Sequence, residues 1–219
     1  MFKLKHDVDG KVERFKARLV AKGYAQKYGI DYDEIFSPVV RFSSIRFLIA
    51  FAVQHDMLIH QMDVETAFLN GKLGEEIYMQ QPEGYVKPGE KYLVCKLEKS
   101  LYGLKQSSRC WNKAFRESVE NIGFTQATAD PCVFIRKKDT LTIIAIHVDD
   151  LMILAESILE MQRLKDRLKL QFKMKDMWEF ALFEIKKGSN STIIKGCTSK
   201  RCSRNLGKHK QNRFPHQLI

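Results

Sequence analysis

Long apolar runs are missing from this sequence. The longest, residues 142–146 and 151–155, fall far short of the roughly 20 residues that span a bilayer, so no membrane helix is expected. Residues 1–8 mix charged and apolar side chains and lack the apolar core and small-residue cleavage site of a secretory signal; an intracellular protein is expected. Cysteine is sparse. Cys95, Cys110, Cys132, Cys197 and Cys202 are odd in number and widely spaced, unlike a disulfide framework, which points to a reducing compartment. Acidic residues are absent from Lys186 onward, where nine Lys and Arg place +9 of the net charge of +11 and leave +2 for the first 185 residues. The overall charge therefore says little about the core. No internal repeat and no Pro/Gly/Ser-rich linker divides the chain before that tail.

What is present suffices for a sizeable core: 219 residues, 44% of them hydrophobic, read as one continuous globular unit to about residue 185. Residues 13–23 alternate basic and apolar with a period near two, predicting a half-buried strand with Arg14, Lys16 and Arg18 on its polar face. Ser43-Ser44 is predicted to cap a helix through Ile45, Leu48, Ile49 and Ala52. Residues 58–64 read as a strand with Asp63 at its C-terminal end, followed by a helical turn closed by Gly71. A further strand is expected over 92–97, and Ser107 or Ser108 can cap a helix through Trp111, Phe115 and Val119 to Gly123. Residues 132–135 and 142–148 suggest a hairpin. A second hairpin folds around Asp149-Asp150 into the apolar run 151–155, and residues 158–172 form an amphipathic helix that can cover one face of the sheet.

Two adjacent Asp residues between strongly apolar strands are costly unless a cation or hydrogen bonds compensate them. Mg²⁺ prefers oxygen ligands, usually one or two carboxylates plus substrate phosphates, and Asp63 is the best candidate to complete such a site. Three Asp residues on two strands can hold a pair of ions about 3.5 to 4 Å apart. Taken alone, Asp149-Asp150 also suits a solvated hairpin turn, and Asp63 a cap for the following turn.

Five blocks, in order, then carry a resemblance. They are Lys16-Ala17-Arg18-Leu19-Val20-Ala21-Lys22-Gly23-Tyr24-Ala25-Gln26, Phe36-Ser37-Pro38-Val39-Val40, Gln61-Met62-Asp63-Val64-Glu65-Thr66-Ala67-Phe68-Leu69-Asn70-Gly71, Ser100-Leu101-Tyr102-Gly103-Leu104-Lys105-Gln106, and Val148-Asp149-Asp150. Over residues 12–177 the chain resembles the reverse transcriptases of copia-type retrotransposons. The resemblance implies an α+β fold of polymerase fingers and palm, the palm a ferredoxin-like antiparallel sheet backed by helices, with the thumb missing or degenerate. It divides the chain into a fingers-like part, 1–56, a palm, 57–185, and a basic, disordered or frame-shifted tail, 186–219.

The function implied is RNA-directed DNA polymerisation on an RNA or DNA template with a primer, using deoxynucleoside triphosphates and two Mg²⁺ ions, with Mn²⁺ as a substitute. The alternative is an inactive nucleic-acid-binding remnant. Asp63, Asp149 and Asp150 would be the catalytic metal ligands, with the Val64 carbonyl as a further one. Phe68 would lie beneath the incoming sugar and exclude a 2′-hydroxyl, although an ordinary core Phe fits that position too. Arg18 and Lys22 would clamp the triphosphate, Lys105 and Gln106 would contact nucleotide and template, and Lys173 or Lys175 would offer a general acid to pyrophosphate.

The sequence departs from this family in three places. His147 stands where the family has Tyr, residues 176–185 are shortened and lack both expected glycines, and the thumb, connection and ribonuclease H sequences are missing after Lys187. In the tail, Cys197, Cys202, His209 and His216 lack the spacing of a zinc site. Basic and without apolar periodicity, the tail does not suit a packed core.

Overall fold

Residues 142–146 and 151–155 are buried without interruption, which in a strand means that both faces are covered. These runs form the centre of the fold. The computed structural model describes residues 1–179 apart from Val8 and Asp139, with the side chains of Trp178 and Glu179 set aside; the expectations for 180–185, for the basic tail and for its Cys and His residues fall outside the described residues. In chain order the elements are β1 (Phe2–His6), β2 (Val12–Ala17), α1 (Phe42–Gln54), β3 (Leu58–Val64), β4 (Lys72–Gln80), β5 (Val94–Lys99), α2 (Ser107–Asn121), β6 (Thr125–Gln126), β7 (Val133–Lys137), β8 (Leu141–His147), β9 (Asp150–Ala155), α3 (Ile158–Gln171) and β10 (Met174–Glu179). Six strands make one antiparallel sheet in the order β10-β3-β9-β8-β7-β6, and β1-β2 and β4-β5 form separate hairpins. This is a mixed α+β fold with three helices.

Helices α2 and α3 bury Phe115 and Val119, and Leu164 and Leu168, respectively, in the main core. Phe115 touches both Phe134 of β7 and Phe172 after α3, with ring centroids 5.8 and 6.1 Å apart, and so joins the two helices to the sheet. Helix α3 opens on Ser157, whose Oγ accepts from the Glu160 N–H at 3.3 Å, with Glu160 itself in the first turn where the helix dipole favours an acid. Among the described residues, no helix is long and apolar enough to cross a membrane.

Helix α1 is capped differently from the sequence expectation. It begins at Phe42, and Ser43 and Ser44 lie inside its first turn. The cap comes from the buried Asp130, whose carboxylate accepts from the Arg41 N–H at 3.0 Å, the Ser44 hydroxyl at 2.6 Å and the Cys132 N–H at 2.9 Å. Burial pushes the Asp130 pKa up, but the bonds from Ser44, Arg41 and Cys132 outweigh it and hold the group below its ordinary 3.8. A folded-state pKa below the unfolded one gives stability that is full above the unfolded value and lost as pH falls through the folded one. Asp130→Ala is therefore expected to cost about 2–3 kcal/mol at pH 7. Urea melts should show that the gap between wild type and Asp130→Asn narrows below about pH 3.8.

The alternation over 13–23 yields only the short β2, and the strand is not half-buried as expected. Phe15 is 82% exposed, because among the described residues β2 pairs with β1 alone and no layer covers the hairpin. Past Ala17 the chain leaves the hairpin: Val20 bridges Tyr102, and the Ala21 N–H donates to the Tyr102 carbonyl at 2.7 Å. Gly103, with φ +95°, makes this approach possible. Gly71 ends its turn at an ordinary φ of −73°, so it is needed for closeness rather than handedness: a Cβ there would lie 2.8 Å from the Cys110 backbone.

Candidate metal centre

Strand β3 carries Asp63 one residue from its end, and β9 begins with Asp150. Register sets Asp63 directly opposite Asp150, and Met62 opposite Leu151. A slip of β9 by one residue would turn Asp150 to the face opposite Asp63 and part the two carboxylates. The β8-β9 hairpin closes through a two-residue turn, Val148-Asp149, between the paired His147 and Asp150. One ligand oxygen from each of Asp63, Asp149 and Asp150 lies within 4.8 Å of the others, with Asp63 and Asp150 half-buried and Asp149 exposed. Like charges facing each other across a strand pair destabilise a sheet. Three convergent carboxylates with no Cys or His in the set match the hard oxygen donors preferred by Mg²⁺ or Mn²⁺.

Neighbouring groups order these carboxylates. The Gln61 amide donates to Asp150 Oδ1 at 3.1 Å, and the Val64 N–H donates to the Asp149 carbonyl at 2.8 Å. Val148 has φ +60°, a conformation costing roughly 1–3 kcal/mol for a β-branched residue. Its carbonyl accepts from the Trp111 indole N–H at 2.6 Å. His147, exposed beside the turn, occupies the position where a Tyr is expected.

Phe68, half-buried in a 3-10 turn over Ala67–Asn70, meets Tyr102 edge-on with ring centroids 5.1 Å apart. Together with Trp111 and Val148 it lines a pocket of about 210 Å³ beside the Val148-Asp149 turn. Arg18 sits 5.1 Å from the Tyr102 centroid, so Arg18, Tyr102 and Phe68 form a series running from the end of the N-terminal hairpin to the pocket that Val148 also lines. Tyr102 was not singled out from sequence, although it lies in the Ser100–Gln106 block. Lys16 was also missed. Burial lowers its pKa first, then the charges of Arg18, Lys5 and Arg14, while Asp63 opposes them; Lys16 is thus a hairpin cation that feels the carboxylate site. Lys22 is exposed, just before the 3-10 turn at Gly23–Ala25.

Of the two neighbours expected to contact nucleotide and template, Lys105 is exposed and Gln106 is not. Gln106 is fully buried: its Oε1 accepts from the Gln26 amide at 3.1 Å, and its Nε2 donates to the Asp31 carbonyl at 2.8 Å. With both halves of the amide committed, it holds the loop around residues 26–31 rather than reaching an open site. Lys105 bonds to the Tyr32 hydroxyl at 3.1 Å, with its ammonium 4.7 Å from that ring's centroid. Lys173 and Lys175 each pair with Glu65 at 3.0 Å, and their hydrogen bonds, Lys175 foremost, hold Glu65 below the usual carboxylate range. Cys110 and Cys132 are buried and free. Burial pushes the Cys132 thiol up to about 12, so neither offers a thiolate near neutral pH.

Sheet, helices and convergent carboxylates are compatible with a polymerase palm-like domain. A family model described as reverse transcriptase (RNA-dependent DNA polymerase) matches residues 1–208, and the chain belongs to that family. It is 47% identical over 179 residues to a retrovirus-related Pol polyprotein from transposon TNT 1-94 of Nicotiana tabacum, an alignment covering 81% of this chain and 14% of that protein. A similar polyprotein from transposon RE1 of Arabidopsis thaliana is 39% identical over 84% of this chain and 13% of its own length. The Ty1-GR1 Gag-Pol polyprotein of Saccharomyces cerevisiae is 29% identical over 73% and 9%, respectively. The chain therefore spans only a small part of these relatives. No solved structure matches.

Proposed function

We propose that the chain is the RNA-directed DNA polymerase portion of a copia-type retrotransposon Pol polyprotein, joining deoxynucleotides to a primer 3′-hydroxyl on an RNA or DNA template. The observation that carries this reading is the convergence of Asp63, Asp149 and Asp150 within 4.8 Å at the joined ends of β3 and β9. Two Mg²⁺ ions, or Mn²⁺ in their place, would supply activation of the attacking hydroxyl and charge stabilisation on the leaving pyrophosphate. The three carboxylates would hold them, with the Val64 carbonyl as a further ligand. Asp63 and Asp150 share the geometry that register imposes, and Gln61 orients Asp150.

Residues 1–56 act as a fingers-like part, and residues 57–185 as a ferredoxin-like palm, with β3, α2, β8, β9, α3 and β10 following the β-α-β-β-α-β order. Arg18 and Lys22, joined by Lys16, bind the triphosphate, since basic side chains stabilise charge on a transferring phosphoryl group. Phe68, held edge-on by Tyr102, packs beneath the sugar and excludes a 2′-hydroxyl. Lys105 meets the template side, while Gln106 positions the loop that carries Tyr32.

Primer extension on an RNA template with Mg²⁺ tests this reading. The wild-type chain should extend the primer, and Phe68→Ala should accept ribonucleotides at least about tenfold more readily. Unchanged sugar selectivity would remove the role given to Phe68. No extension, with primer-template still bound at low salt and released as salt rises, would replace the enzyme with an inactive nucleic-acid-binding remnant.

A further inference from the structure

Val148 occupies the first central position of a two-residue hairpin turn at φ +60°, while Asp149, the second, is not among the positive-φ residues. Glycine is the ordinary residue where only the first central φ is positive, because a side chain there, above all a β-branched one, is strained. Something must hold the turn in this shape. Two hydrogen bonds do so from different elements: Trp111 Nε1–H of α2 donates to the Val148 carbonyl at 2.6 Å, and the Val64 N–H at the end of β3 donates to the Asp149 carbonyl at 2.8 Å.

These two carbonyls belong to the peptide planes on either side of the Asp149 Cα. Fixing both planes fixes the direction in which the Asp149 side chain leaves the backbone. One of the two donors is a backbone group; the other is a side chain. Trp111 cannot swing away, since it is 2% exposed and its ring centroid lies 5.6 Å from that of Phe115 and 5.1 Å from that of Phe172.

We propose that Trp111 is the positioning residue for Asp149: its indole N–H holds the strained Val148-Asp149 turn so that the Asp149 carboxylate converges on Asp63 and Asp150. This rests on the reading of that triad as a divalent-metal site. A carboxylate whose backbone wanders spends part of its time out of ligating geometry, so the loss of the N–H lowers metal affinity without removing any ligand.

The test is Mn²⁺ binding to the intact chain, followed by the electron paramagnetic resonance of the free ion and independent of any polymerase activity. Trp111→Phe keeps an aromatic ring but no donor, and should weaken Mn²⁺ binding about tenfold. Adding Val148→Gly, which adopts a positive φ without strain, should restore binding to within about twofold. A purely structural role for Trp111 would not be repaired by a glycine in the turn. If Trp111→Phe does not fold, benzothienylalanine at position 111 retains the ring system and lacks only the N–H, and the same loss and the same rescue are expected.

Equal Mn²⁺ affinity in wild type and the donor-free variant, or no recovery with Val148→Gly, overturns the positioning role. Asp149→Asn separates this from failure of the metal site itself. If Asp149→Asn loses binding while the Trp111 variants keep it, the metal site stands and the role of Trp111 falls. If wild type binds no Mn²⁺, both fall.

Discussion

Asp150→Asn is expected to reduce primer extension by about 10³-fold or more and, in the metal-free protein, to raise the melting temperature. The two effects have one cause. Without a cation, three carboxylates within 4.8 Å repel one another by about 1 kcal/mol per pair even in a water-like dielectric. Asn keeps the shape of Asp150 and an oxygen for the Gln61 amide, so the neutral variant relieves repulsion without losing that bond. For a chain of this size the gain should appear as roughly 2–4 °C per kcal/mol. Mg²⁺ should raise the melting temperature of wild type, by linkage, and leave the variant nearly unmoved. Thermal melts with and without Mg²⁺ measure both. A metal-free variant that melts no higher, with equal Mg²⁺ shifts in both proteins, would show that the carboxylates do not share an ion.

The second large effect is expected far from the carboxylates. Gly103→Ala should destabilise the protein by about 3 kcal/mol or more, because a side chain meets two obstacles there. The backbone sits at φ +95°, and a Cβ would collide with the carbonyl oxygen of Ala21. The collision falls where residues 20–23 cross the 102–106 loop, and a Cβ on Gly23 would in turn meet the Gly103 carbonyl oxygen. Hydrogen exchange should therefore locate the damage: the Ala21 amide, bonded to the Tyr102 carbonyl, loses protection before the amides of β8 and β9 do. Arg18 would be released from Tyr102 at the same time. Gly84→Ala is the control, since its φ of +82° carries similar strain but a Cβ there meets open space, and it should cost about 1 kcal/mol.

Much of the central sheet was legible because its residues answer to local rules. Strand β3 and helix α3 follow their apolar periods nearly to the residue, and the apolar runs in β8 and β9 read as the arms of a hairpin around Asp149. Strand β4 was missed because charged Lys72, Glu75 and Glu76 break up its apolar residues; it pairs with β5 and packs Leu73, Ile77 and Met79 into a small second cluster with Ala21, Leu97 and Leu104. The cap on α1 could not be read from its neighbours, because Asp130 lies 89 residues after Arg41. Among the candidate site residues, the three Asp positions were legible as a motif, and strand register together with the Val148-Asp149 turn brought them into a cluster. For Gln106 the motif was legible and the burial was not. Its block resembles a nucleotide-contacting element, but which side of a loop an amide faces depends on partners such as Gln26 and Asp31, which sequence spacing does not reveal. Lys16 was legible only as one of several cations on a strand until Asp63 proved to be within its field.

The three carboxylates all come from β3 and the β8-β9 hairpin, between residues 58 and 155. In genetic terms, the codons of all three carboxylates lie upstream of those of α3 and β10. A frameshift or insertion downstream of the Ala155 codon alters what flanks β3 on its outer side and leaves the Asp63-Asp150 pairing encoded. The carboxylate codons can thus persist while the 3′ end diverges through successive copies, but a screen for copies that keep the proposed metal site in shape should score the reading frame through Phe172, which packs on Trp111.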